Sequence, residues 1–135
     1  MKSEFHELGP TFFAPHLTLR NVLAGVEFYK AAFGAVELRR WSNSDGSVHV
    51  AEMSINGALF HLHEEMPGDT ELSPETLKGT TSAIGLFVPD PAATVKQAVA
   101  AGGRETSPVK DYDYGYRQGI VTDPAGHVWL IQKKI

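Results

Sequence analysis

The sequence predicts an α+β fold in which two tandem βαβββ modules form a curved mixed sheet around a concave cavity. The order of one strand, one helix and three strands occurs twice along the 135 residues. The two copies align at an offset of about 68 residues, which places Gly34 on Gly102 and Gly57 on Gly126. Each module can bury only one sheet face beneath its own helix, so the opposite faces remain to enclose a cavity.

The first module, residues 11–63, follows a polar lead-in at 1–10. It opens with a predicted strand over 12–19, and Asn21 then supplies a side chain that can cap a helix. Gly34 ends that helix. Apolar residues between these two points recur at spacings of four, three and four, the stripe of an amphipathic helix: Val22, Val26, Tyr29 and Phe33.

Three strands complete the first module. Asn43 to Gly46 is a turn cluster, and Asn56-Gly57 is a strong signal for a tight hairpin. The predicted strands span 35–41, 47–55 and 58–63.

The second module, residues 81–135, follows a polar connector at 64–80. Asp90 and Pro91 predict a helix start, with Asp at the cap and Pro at the first helical position. Gly102-Gly103 ends this helix. The predicted strands of the second module span 82–88, 104–109, 118–122 and 127–133.

Composition excludes several classes of protein. Hydrophobic residues make up 42% of the chain and charged residues 21%, which is typical of a globular domain. Twelve basic against sixteen acidic residues give a net charge of −4, so we expect no nucleic-acid partner. The apolar runs are too short for a membrane span. The chain holds no cysteine, which excludes disulfides and thiolate catalysis and favours the cytoplasm.

The chain resembles the vicinal oxygen chelate superfamily, which includes glyoxalase I, extradiol dioxygenases and bleomycin-binding proteins. The strings FYKAAFG and DPAGHVW are most similar to its PhnB-like branch. The resemblance covers residues 11–134 and implies a glyoxalase-like domain, a small-molecule ligand in the cavity and a homodimer. The matching stretches are 17–34, 50–62, 100–103 and 122–130.

The hairpin at Asn56-Gly57 lets side chains be assigned to faces. In a two-residue loop, facing residues have numbers that sum to 113, so Glu52 lies opposite His61. Alternation then places both side chains on the face away from the helix. On the first strand, Leu17 and Leu19 take the core and His16 points to the cavity side.

In the metal-using members that the chain resembles, each module supplies one ligand from its first strand and one from its fourth. His16 and His61 fall on these positions in the first module, whereas Ala83 and Leu130 fall on them in the second and cannot coordinate. We therefore expect no cofactor. We interpret Glu52 and His61 as a polar pair without metal; the alternatives are a divalent metal held by His16, His61 and Glu52, and exposure of one or more of these side chains to solvent.

An aromatic loop follows the sixth strand, where the family has a segment that closes over the ligand. Tyr112 and Tyr114 supply flat apolar rings with hydroxyl groups, and Arg117 can bind an anionic ligand. An ion pair of Arg117 with Asp111 or Asp113 is the equal alternative.

Two functions stay open. The first is a protein that binds a small molecule without chemistry, through His16, Glu52, His61, Tyr112, Tyr114 and Arg117. The second is a metal-dependent lyase or dioxygenase that uses His16, His61 and Glu52. The incomplete ligand set and the tyrosine loop favour the first.

Overall fold

The computed structural model describes residues 11–135, and the predicted lead-in at 1–10 lies outside this range. The strands are β1 (His16–Leu19), β2 (Val36–Ser42), β3 (Val48–Ile55), β4 (Ala58–Glu64), β5 (Ala83–Phe87), β6 (Arg104–Tyr112), β7 (Tyr116–Thr122) and β8 (Val128–Lys134). The helices are α1 (Val22–Phe33), α2 (Pro74–Leu77) and α3 (Pro91–Ala100).

The strands form two four-stranded mixed sheets with the same topology. The first sheet has the order β1-β4-β3-β2 and the second the order β5-β8-β7-β6. In each sheet the first strand runs parallel to the last one, and the other neighbours are antiparallel. The tandem βαβββ fold is therefore confirmed, with each module forming a sheet of its own.

The helix boundaries follow from local chemistry. The side chain of Asn21 accepts a hydrogen bond from the Ala24 N–H at 3.0 Å, and α1 ends at Gly34 in the left-handed region, with φ of 67°. Helix α3 begins in the same way, because the Asp90 side chain accepts from the Ala93 N–H at 3.1 Å. These caps confirm the predicted ends of both long helices to within two residues.

The β3–β4 register is the one that the hairpin predicts. Glu52 faces His61, and the other pairs of this hairpin also sum to 113. Asn56 and Gly57 have positive φ of 48° and 88°, as a tight hairpin turn requires.

The two modules join through their helix-covered faces. Helices α1 and α3 contact each other, and Gln97 donates from Nε2 to the Ala31 carbonyl at 2.9 Å. Trp129 of β8 reaches the first module, with its ring 4.8 Å from Phe33 and 6.0 Å from Phe60. One hydrophobic core thus includes buried side chains from both sheets. The opposite, uncovered face of each sheet therefore points away from this core and from the other sheet.

Three segments differ in extent from the prediction. Strand β1 starts at His16 and not at residue 12, because Pro15 has no N–H to donate to a ladder. The connector at 64–80 contains α2, which is anchored where Ser73 donates from its hydroxyl to Glu65 at 3.0 Å. Strand β6 extends to Tyr112, since it pairs with β7 as far as Tyr116. No helix in residues 11–135 is long and apolar enough to span a membrane.

Candidate functional site

Four titratable side chains lie together on the uncovered face of the first sheet. The parallel register of β1 and β4 places His16 beside His61, and the hairpin places Glu52 on the other side of His61. His63 follows two residues along β4, so it shares the same face. We call this group the histidine face: His16, Glu52, His61 and His63.

His61 and Glu52 form the centre of the histidine face. The Nε2 atom of His61 lies 3.3 Å from Oε2 of Glu52, which is ion-pair distance. The same Nε2 atom is buried and has no hydrogen-bond partner within residues 11–135, so the two side chains are close without being aligned for a hydrogen bond. A buried polar atom without a partner costs free energy that a bound hydrogen-bonding group can recover.

His16 and His63 form a stacked pair beside this centre. Their ring centroids are 3.6 Å apart with an interplanar angle of 20°. Burial, followed by positive charge on His16, His61 and His49, lowers the pKa of His63 to about 4, and Glu71 opposes the shift. The His63 ring is therefore neutral at pH 7 and offers one donor and one acceptor nitrogen.

A β-bulge in β2 brings an arginine and a tryptophan onto the same face. The register shifts between Glu37 and Arg39, so that Arg39 faces Glu52 and Trp41 faces Val50. The guanidinium of Arg39 lies over the Trp41 ring, 4.5 Å from its centroid. Sequence reasoning missed Arg39 because alternation without the bulge assigns it to the helix-covered face.

The donor atoms of the histidine face do not fit a three-ligand metal centre. Within residues 11–135, no three His, Asp or Glu side chains come together as a possible metal site. The His16 ring stacks on the His63 ring, with an interplanar angle of 20°. In the second module Ala83 faces Val128, so this strand pair adds no donor either.

An aromatic cluster lies on the uncovered side of the second sheet. The predicted aromatic loop is a tight hairpin in which Tyr112 faces Tyr116. The Tyr112 and Tyr114 rings stack with centroids 5.2 Å apart, and the Tyr116 ring lies 5.9 Å from Phe87. The aromatic cluster is Phe87, Tyr112, Tyr114 and Tyr116, with the Lys110 ammonium 5.1 Å from the Tyr112 ring.

Arg117 does not join this cluster. It faces Asp111 across the β6–β7 ladder and donates from Nε to Oδ1 at 2.7 Å and from Nη2 to Oδ2 at 3.2 Å. Strand alternation places Arg117 on the opposite face from Tyr116. Of the two alternatives for Arg117, the structure has the ion pair with Asp111. The predicted ligand set is thus divided between two sheets, with His16, Glu52 and His61 on one and the tyrosines on the other.

Comparisons with known proteins agree with this architecture. The family profile described as Glyoxalase/Bleomycin resistance protein/Dioxygenase superfamily matches residues 15–131. An uncharacterized protein of Mycobacterium tuberculosis is 34% identical over 125 residues, which cover 90% of this chain and 74% of the relative.

Solved structures give the same fold. The X-ray structure of an Arabidopsis thaliana gene product is 30% identical, with a TM-score of 0.71, and the match covers 92% of this chain and 99% of that one. The crystal structure of TioX from Micromonospora sp. ML1 is 20% identical, with a TM-score of 0.71, and covers 93% of this chain and 100% of that one. At this lower identity the TioX match shows a shared fold alone.

Proposed function

Because the chain belongs to the Glyoxalase/Bleomycin resistance protein/Dioxygenase superfamily, we propose that it binds a small molecule on its histidine face and acts as a binding protein. The strings at 28–34 and 123–129 support a place in the PhnB-like branch. A second class, the metal-dependent lyase or dioxygenase, has less support because the donor atoms do not converge on one point.

The observation that carries this proposal is the unpartnered Nε2 atom of His61. It is buried in a sheet face whose other atoms leave it without a hydrogen bond. A ligand group that donates to or accepts from Nε2 would satisfy it and would also reach Glu52, 3.3 Å away.

The remaining side chains of the face indicate the chemistry of the ligand. The neutral His63 ring and the indole of Trp41 offer flat surfaces for stacking, and Trp41 is 40% exposed. Arg39 and Glu52 offer one charge of each sign. The ligand that matches is a planar, partly aromatic molecule with hydrogen-bonding groups at its edge.

A homodimer would complete the site. The uncovered faces of one chain point away from each other, so the histidine face needs a second wall from outside its own chain. The aromatic cluster of a second copy is suited to this role, because its tyrosines and Phe87 present rings on an uncovered sheet face. Two-fold symmetry would then build two equal sites from one type of contact.

The test begins with a panel of small aromatic acids, phenols and amides, screened by ¹H–¹⁵N NMR. We expect a hit that moves the amide signals of His16, Glu52 and His61 and that fails to bind His61→Ala. His49→Ala is the matched control, because His49 is not part of the histidine face. Its Nδ1 atom pairs with Oε1 of Glu64 at 3.2 Å. Hits whose binding survives in His61→Ala would disprove a ligand site on this face.

Mixing experiments test the shared site. We expect neither His61→Ala nor a Tyr112→Ala/Tyr116→Ala double variant to bind the hit when pure. Co-folded mixtures of the two should contain heterodimers with one intact site. Binding that no mixture restores would place both walls within one chain, and full binding by the pure tyrosine variant would remove the aromatic cluster from the site.

A further inference from the structure

A groove of about 620 Å³ lies apart from the histidine face, at the contact between the connector and the second module. Helix α2 forms one side of it, and the turn at 123–126 and the start of β6 form the other. None of the four residues of the histidine face lines this groove. Its polar or charged lining residues are Glu75, Lys78, Thr80, Arg104, Thr122 and Asp123.

The groove holds two cations without anionic partners. Lys78 and Arg104 are exposed, and neither has an ion pair within residues 11–135. The carboxylate of Asp123 is 4% exposed and accepts hydrogen bonds from Tyr29 and Trp129, and it lies outside ion-pair distance of both cations. Glu75 is the one exposed carboxylate of the lining, so the exposed cations outnumber the exposed anions by one, although the formal charges of the whole lining sum to zero.

The backbone holds Lys78 at the groove. Lys78 caps the C-terminus of α2 in the left-handed region, with φ of 58°, a position where glycine is usual. The neighbouring Gly79 has no heavy atom within 4 Å of where its Cβ would lie, so no side chain blocks the groove at this position. Across the groove, Arg104 faces Thr122 in the β6–β7 ladder, which adds a hydroxyl donor beside the guanidinium.

We propose that this groove binds the oxyanion group of a small molecule, through Lys78 and Arg104 with a hydroxyl donor from Thr122. A phosphate and a carboxylate share the required chemistry, since both accept several charged hydrogen bonds. The volume is large enough for a ligand that extends beyond the anionic group. The groove is a second site, independent of a ligand on the histidine face.

The experiment titrates the full chain with inorganic pyrophosphate and, separately, with acetate at constant ionic strength, followed by ¹H–¹⁵N NMR. We expect saturable shifts at the amides of Lys78, Gly79 and Arg104. A stronger response to pyrophosphate identifies a phosphate ligand, and a stronger response to acetate identifies a carboxylate ligand. Absence of saturable shifts at these amides with both anions would overturn the proposal.

Matched variants separate a site from general attraction. Lys78→Ala/Arg104→Ala should weaken the anion's binding about tenfold, as the loss of two exposed charge pairs predicts. Glu75→Gln should tighten binding because it removes a repelling carboxylate. Lys96→Ala removes an exposed lysine of α3 outside the groove and should leave affinity unchanged. Equal weakening by Lys96→Ala and by the double variant would show nonspecific attraction and overturn the site.

Discussion

Tyr29 of the first module donates its hydroxyl hydrogen to Oδ2 of Asp123 in the second module. The same carboxylate accepts from the Trp129 indole N–H at 2.9 Å and from the backbone N–H groups of Ala125 and His127 at 3.0 Å. Asp123 is buried, so four donors satisfy a carboxylate that would otherwise be costly to enclose. The turn aspartate therefore connects the two modules and orders its own turn.

We expect Tyr29→Phe to lower the free energy of unfolding by about 1–2 kcal/mol, because one donor to a buried carboxylate is lost. Asp123→Ala should cost about 3 kcal/mol or more, since it leaves the Tyr29 hydroxyl and the Trp129 N–H without an acceptor. Urea unfolding followed by tryptophan fluorescence measures both. The control is Tyr114→Phe, whose side chain is 63% exposed and should change stability by less than about 0.5 kcal/mol. A cost for Tyr29→Phe as small as that of the control would contradict this role.

Stability should fall in mild acid because of His63. The folded ring has a pKa of about 4 against the ordinary 6.5. Between these pH values the unfolded chain binds a proton that the folded protein does not, so stability is lost as the pH falls and is unaffected above 6.5. Because the ring keeps contact with solvent, we expect a loss of about 1 kcal/mol or less.

His63→Gln should reduce this loss, and NMR titration of the His63 ring gives the direct measurement. Removal of the stacked imidazole in His16→Ala should raise the pKa of His63, since it removes a positive neighbour and part of the burial. A His63 ring that titrates near 6.5 in the wild-type protein would show that this prediction is wrong.

Metal content distinguishes the two functions that the sequence left open. Because no three His, Asp or Glu side chains within residues 11–135 come together as a possible metal site, we expect less than about 0.1 mole of transition metal per mole of protein purified without chelator. Elemental analysis measures this after growth with zinc, nickel, iron and manganese. One equivalent that disappears in His61→Ala would instead support the metal-dependent enzyme.

Arg117 should matter little for ligand binding. Its ion pair with Asp111 is exposed on both sides, with side-chain exposures of 42% and 55%, so Arg117→Ala should cost less than about 1 kcal/mol of stability. A ligand found on the histidine face should bind Arg117→Ala with unchanged affinity. Weaker binding of an anionic ligand to this variant would restore Arg117 to the site.

Local features of the sequence predicted most of the fold. Asn21, Gly34 and Asp90 act within one turn of the chain, and their caps lie where the pattern indicates. The Asn56-Gly57 turn fixes the β3–β4 register, and with it the position of Glu52 opposite His61. Strand alternation then assigns both side chains to the uncovered face.

Other features of the site depend on contacts that no local pattern contains. The bulge beside Arg39 reverses the alternation of β2, and the stacking of His16 on His63 follows from how a parallel neighbour lies beside β4. The role of Asp123 in joining the modules depends on one donor, the Tyr29 hydroxyl, from a helix residue 94 positions away.

The sequence by itself determined two βαβββ modules and, for the β3–β4 hairpin, the residues on each sheet face, because caps, tight turns and two-residue alternation act over a few residues. Only the tertiary structure decided that the modules meet through their helix-covered faces. Burying Trp129 against Tyr29 and Phe33 removes large apolar surfaces from water, and that gain selects one packing of the modules. The same packing turns the histidine face and the aromatic cluster away from each other.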